Sequence, residues 1–237
     1  MSTAITPSID NLALTWRSLD EVCTGLTEEQ WKTATGCPGW TVQDNVAHLV
    51  DYEASALGRP RPNHVPAGGD HLKNPLGESN EVGVDARRGW TGEEVLEELR
   101  QVSAERFVQL LALTADDLSE PIDTPAGPGT LADMLTLRVM DTWSHEQDIR
   151  RALGRPGHLT GPVVAEALRY WAQFLPFVVG KRAGAPDGST VVFEVGDEHT
   201  TAIEVVDGRA REAAAAPESP TVRIVVPVAT FAALVGG

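Results

Sequence analysis

Residues 130–156 read "TLADMLTLRVMDTWSHEQDIRRALGRP". Thr130 opens a helix and Gly154 with Pro156 stops it, so the stretch predicts one long helix from Thr130 to Leu153. Indexed at about 100° per residue, Leu131, Met134, Leu135, Arg138, Ile149 and Ala152 fall on one side. Asp141 and His145 lie within that arc, with Asp148 at its edge, whereas Ser144, Gln147 and Arg151 take the opposite side together with Met140 and Trp143. Two polar side chains therefore point where a helical bundle expects apolar ones, and a carboxylate there is costly unless it has a partner. A metal ion is one such partner. Residues at i and i+4 are neighbours on a helix, and a catalytic Zn²⁺ usually takes three protein ligands and keeps a fourth position open. A salt bridge or a hydrogen-bonded core histidine is the plainer alternative.

A third ligand has to come from another helix. Of the six histidines, His48 alone sits well inside a second long helical stretch, "TVQDNVAHLVDYEASAL" (41–57). It lies off that stretch's apolar stripe of Val42, Val46, Leu49, Val50 and Leu57, beside Thr41, Asn45 and Tyr52, as befits the wall of a cleft. His64, His71, His158 and His199 read as surface residues. Cys37 is either a nucleophile or, more simply, a small buried thiol before a turn. Asp148 reads as an acceptor behind the site or a helix-surface charge. Arg138 pairs with an acidic ligand or binds a carboxylated substrate, a task also open to Arg209, Arg211 and Arg223, since the guanidinium fork matches a carboxylate.

Outward from these helices, residues 8–24 carry helical spacing up to Gly25. "CPGW" (37–40) is a turn, and Thr41 with Asp44 forms a capping-box-like pair. Residues 58–90 are rich in Gly and Pro, with a short helix expected near 78–88. Thr91 opens a helix with acidic residues in its first turn, where the dipole favours them. "EPIDTPAGPGT" (120–130) reads as a loop and 161–180 as a fifth helix. "STVVFEVG", "TTAIEVVDG" and "TVRIVVP" are β-branched segments bounded by turn residues, "AREAAAAPESP" (210–220) is an exposed connector, and "VATFAALVG" opens a last helix. The expected class is α+β: a four-helix bundle over 1–157, then a small α+β unit over 158–237.

The 237 residues are 42% hydrophobic, enough for a proper core, and the net charge of −15 argues against a phosphate backbone as partner. No basic amphipathic stretch, apolar signal core or run of about 18 apolar residues suggests a membrane. Two cysteines are too few for a disulfide framework, and a cytoplasmic protein with reduced thiols, monomeric or homodimeric, is expected.

"GWTVQDNVAHLVDYE" from Gly39 and "RVMDTWSHEQDIRRALGRP" from Arg138 resemble the second- and fourth-helix signatures of the mycothiol-dependent maleylpyruvate isomerase family, a branch of the DinB/YfiT-like metal-binding bundles. The resemblance implies zinc, or another divalent metal, held by His48, Asp141 and His145. The carboxylate is often Glu in the family; Asp141 is one methylene shorter, which draws the ion toward the helix or weakens its binding. The implied second unit is sterol-carrier-like, matched more loosely by 185–237, and "ALVGG" suggests an early stop. The implied cosubstrate is mycothiol, the small thiol of actinobacteria. Its thiolate adds to an activated double bond of a small unsaturated acid, giving cis–trans isomerisation, or S-transfer where no expulsion follows. Arg138 and Asp148 are the candidate catalytic residues beside the metal. A metal-dependent hydrolase on the same bundle and a non-enzymatic metal- or ligand-binding stress protein are the alternatives.

Overall fold

The computed structural model describes residues 7–236 and has an α+β fold. In chain order the helices of the first part are α1 (Pro7–Cys23), α2 (Glu28–Trp31), α3 (Val42–Ala56), α4 (Pro75–Asp85), α5 (Gly92–Leu111) and α6 (Ala115–Leu118). A hairpin of β1 (Pro121–Thr124) and β2 (Gly127–Thr130) leads into α7 (Leu131–Leu153). Then follow α8 (Pro162–Ala172), α9 (Leu175–Phe177), a π-turn (Val178–Arg182), strands β3 (Thr190–Val195), β4 (His199–Val206), β5 (Arg209–Glu212) and β6 (Val222–Val226), and α10 (Val228–Gly236).

The helix starts follow from local chemistry. Thr41, Thr91 and Thr130 each accept from the third backbone N–H of their helix, and Asp44, Glu94 and Asp133 reach back to the cap. These reciprocal boxes satisfy donors that a helix end otherwise leaves open. Gly154, left-handed at φ 63°, closes α7, a conformation that a Cβ disfavours. Gly39, at φ 79°, turns the chain into α3; a Cβ there would also lie 2.6 Å from the His71 ring.

Helices α1, α3, α5 and α7 share one core, in which Leu19, Val46, Leu49, Leu96, Leu99 and Ile149 are buried. A second cluster joins α1, α7, α8, β3 and α10 through Leu12, Trp143, Val164, Val195 and Phe231. Helix α7 is thus covered on both sides, and Met140, Trp143 and Gln147, read as its outer face, are buried. The sheet has the order β5-β4-β3-β6, with β6 parallel to β3 and the other pairs antiparallel. Asp207 and Gly208, both at positive φ, make the two-residue turn that right-twisted hairpins favour.

Three expectations need correction. The stretch 120–130 is a β-hairpin, held by Pro121↔Thr130 and Thr124↔Gly127 pairing. The helix expected over 161–180 ends at Ala172; Pro176 has no N–H for the next rung, so the chain restarts as α9 and a π-turn. Arg209–Glu212 pairs with β4 as a strand, where an exposed connector was expected from 210 on.

Candidate metal centre

Helix α3 brings His48, and α7 brings Asp141 and His145. His48 Nε2 lies 3.3 Å from Asp141 Oδ2, and His145 Nε2 lies 3.6 Å from Asp141 Oδ1. The two imidazoles meet edge to face with centroids 4.9 Å apart. One ligand atom from each of the three residues lies within 4.8 Å of the others. Donors bonded at about 2.0–2.1 Å around a tetrahedral ion stand roughly 3.3–3.4 Å apart. The donor set, two nitrogens and one carboxylate oxygen within 4.8 Å of one another, is of the type that holds a divalent cation.

The surroundings prepare these groups for that task. Asn45, one turn before His48, places Oδ1 2.8 Å from His145 Nδ1; Asn45 Nδ2 donates to Thr35 Oγ1 and to the Thr41 carbonyl. With its amide so oriented, Asn45 accepts the His145 Nδ1 proton, leaving the Nε2 lone pair free toward Asp141. Burial pushes the His145 imidazole down to about 4, so it is neutral at pH 7. Burial works to raise the Asp141 carboxyl, but Arg138, then His145 and His48, outweigh it and hold it well below the usual carboxylate range. The Trp40 ring roofs the pair, with centroids 5.3 Å from His48 and 5.9 Å from His145.

Arg138 and Asp148 stand behind the three. Arg138 is 2% exposed and sits between two carboxylates: Nε donates to Glu53 Oε1 at 3.0 Å and Nη1 to Asp141 Oδ2 at 2.5 Å. The Tyr52 ring lies against its guanidinium at 3.7 Å. Asp148, also buried, accepts from the Cys37 thiol at 3.1 Å and pairs with Arg151. Cys37, Asp148 and His145 Nδ1 form a second close group, but burial, with Asp148 beside it, pushes the Cys37 thiol far up. It is a protonated donor rather than a nucleophile. Arg211 and Arg223 are tied to Glu204 and Glu194 on the sheet, and with Arg209 they are exposed there.

The remaining histidines are half-buried, not on the open surface as expected. His64 pairs with Asp85, His71 with Glu81 and His158 with Glu146, and His199 borders a cavity between α8 and the sheet. Residues that sequence reasoning passed over are Trp40 and Glu53; Asn45 and Tyr52 figured only as neighbours of His48. Their spacing of i, i+3 and i+7 with His48 was the available signal. Glu53 gave none, because its partner Arg138 is 85 residues away.

Two cavities open beside His48. One, of about 350 Å³, carries Asp51, Ser55, Arg61 and Ser79. The other, of about 330 Å³, runs from Arg138 and Asp141 to the β1–β2 tip and the end of α8, walled by Leu137, Met140, Tyr170, Trp171 and Phe174.

Two uncharacterised proteins of Mycobacterium tuberculosis, from strains CDC 1551 and H37Rv, are each 26% identical to the chain over 153 residues. The matches cover 62% of the chain and 57% of each relative, so the chain spans little more than half the length of these curated relatives. Crystal structures of a mycothiol-dependent maleylpyruvate isomerase and of a histidine-to-alanine mutant align with TM-scores of 0.61 and 0.59. Identity is 14% and 15%, over 98% and 100% of this chain and 90% and 93% of theirs, which shows a shared fold. Over residues 12–150, which hold His48, Arg138, Asp141, His145 and Asp148, the sequence matches the family described as mycothiol maleylpyruvate isomerase N-terminal domain, and the chain belongs to that family.

Proposed function

We propose that the chain is a metal-dependent enzyme that uses a low-molecular-weight thiol, mycothiol, in isomerisation of, or S-transfer to, a small electrophile with an activated double bond. The observation that carries the reading is the convergence of His48 Nε2, Asp141 and His145 Nε2 beside two open cavities. Family membership and the fold shared with the maleylpyruvate isomerase support it. Residues 1–157 form the metal-binding unit in this reading and 158–237 the second unit, whose α8 supplies part of the substrate wall.

A divalent ion, zinc by the mixed N/O donor set, would be held by His48, Asp141 and His145; bound there, it supplies a positive centre that lowers the pKa of a thiol. Asn45 keeps the His145 ring in the tautomer that can ligate. Arg138 orients the Asp141 carboxylate and keeps it ionised. Trp40, Met140 and the α8 aromatics shield the site from water. The thiol anion adds to the electrophile's double bond. Rotation about the new single bond and loss of the thiolate give the isomer; where the sulfur is retained, the carbanion takes a proton from solvent, replacing the one the thiol gave up, and the conjugate results.

The test is thiol consumption and isomer formation with the zinc-loaded chain, mycothiol and an activated alkene, against His145→Ala. Activity that needs the thiol and is lost in the variant is expected. Turnover that proceeds equally without thiol, or unchanged in the variant, would refute the reading.

A further inference from the structure

His145 has two ring nitrogens, and the centre with His48 and Asp141 uses one of them. Nε2 faces Asp141, whereas Nδ1 faces the turn before α3 and the next turn of α7. There Nδ1 lies 3.7 Å from Cys37 Sγ and 3.7 Å from Asp148 Oδ2, and the sulfur and that oxygen are 3.1 Å apart. Around a tetrahedral ion, sulfur bonded at about 2.3 Å and nitrogen or oxygen at about 2.0–2.1 Å stand roughly 3.3–3.6 Å from one another. The three separations bracket that range closely. The arrangement is also held in place. The Cys37 N–H donates to Thr35 Oγ1, and the Cys37 carbonyl accepts from the Trp40 N–H. Gly36 lets this turn close on α7, since a Cβ there would lie 3.2 Å from Arg151 Nη2 and 3.4 Å from Asp148 Oδ1. Arg151 pairs with Asp148 Oδ1 and leaves Oδ2 to face the thiol.

The donors differ in kind from those of the first centre. A thiolate and a carboxylate together cancel the charge of a divalent ion, which suits a buried position, and sulfur favours soft cations. Burial and Asp148 hold the Cys37 proton firmly, so only an ion with strong affinity for sulfur displaces it to solvent. To ligate through Nδ1, a neutral His145 must carry its one ring proton on Nε2, and Nε2 then has no lone pair for an ion beside Asp141. The ring therefore serves one ion or the other. Asn45, which accepts the Nδ1 proton, biases it toward the centre with His48.

We propose that Cys37, Asp148 and His145 Nδ1 form a second cation site, for a thiophilic divalent ion softer than zinc, and that filling it withdraws His145 from the centre with His48 and Asp141. The probe is cadmium, titrated into the full metal-free chain and followed by the ultraviolet charge-transfer band of a cadmium–thiolate bond, with circular dichroism to confirm folding. In His48→Ala, where the first centre is broken, the band saturates at about one cadmium per chain. Cys37→Ser abolishes the band, and Cys23→Ser, at the fully buried core thiol, leaves it unchanged. Asp148→Asn keeps the cysteine and weakens cadmium binding at least about tenfold, the least that even an outer partner of a metal site is worth. In zinc-loaded wild type the band grows only as zinc is released to an indicator dye. No band, a band that survives Cys37→Ser, or cadmium affinity unmoved in both Asp148→Asn and His145→Ala overturns the site. A full band with zinc retained overturns the exclusion, and zinc held by His48→Ala through desalting overturns the preference for softer ions. Because His48→Ala reports the cysteine site alone, a wild type that binds no zinc refutes the first centre and not this one.

Discussion

Replacing Arg138 with Met tests how the site is held together. Arg138 and Glu53 are 2% and 1% exposed, and the guanidinium also meets Asp141. Removing one partner of a buried pair leaves the other charge uncompensated and costs about 3–5 kcal/mol, most of it desolvation rather than lost attraction. Here Arg106 stays near Glu53, with Nε 3.5 Å from Oε2. The lower end is therefore expected, about 3 kcal/mol, or a fall in melting temperature of roughly 6–12 °C for a chain of this size. The pairwise reasoning makes a sharper demand: Arg138→Met with Glu53→Leu removes both charges of the pair and recovers part of the loss, about 1 kcal/mol, the rest staying lost because Asp141 and Arg106 still lack those partners. Urea unfolding of metal-free wild type, both single variants and the double variant supplies the cycle. A single-variant cost below about 1 kcal/mol, or a double variant no more stable than Arg138→Met, would refute the account of Arg138 as a buried clamp.

Three further outcomes are expected. Asn45→Ala, which frees the His145 Nδ1 proton from its acceptor, weakens zinc affinity by about 10–100-fold, as read by chelator competition, with little change in fold. In the metal-free protein the unfolded His145 takes a proton near 6.5 and the folded one only near 4. The unfolded state therefore binds more protons between those values, so stability is full above 6.5 and falls as pH drops toward 4, by up to about 3 kcal/mol; the slope flattens in His145→Gln, and an equal slope in the two proteins counts against it. Cys37, its thiol pushed up by burial and by Asp148, resists iodoacetamide at pH 7.5 in the native state and reacts once unfolded, as followed by mass spectrometry; rapid native alkylation contradicts the placement.

What the sequence disclosed follows from the range of the interactions. Helices α3, α5 and α7 were legible because threonine caps and apolar periodicity are local signals. The i, i+4 pair of Asp141 and His145 needed only the geometry of one helix. The β1–β2 hairpin hid in "PIDTPAGPGT", where Gly and Pro mask alternation, and β5 hid because Arg209–Glu212 is charged and exposed at a sheet edge. The burial of Met140 and Trp143 was unreadable because it depends on α8 and α1 arriving on the far side of α7. Glu53, whose partner Arg138 lies on another helix, could not be assigned from spacing.

The most direct measurement is the zinc content of the purified, zinc-reconstituted chain after exhaustive desalting, for wild type, His48→Ala and His145→Ala, with circular dichroism to confirm folding. The account predicts about one zinc per wild-type chain and at most about a tenth of that in either folded variant, because two remaining ligands hold the ion weakly. Full occupancy retained by both variants, or a wild type that holds no zinc or other divalent metal, contradicts it.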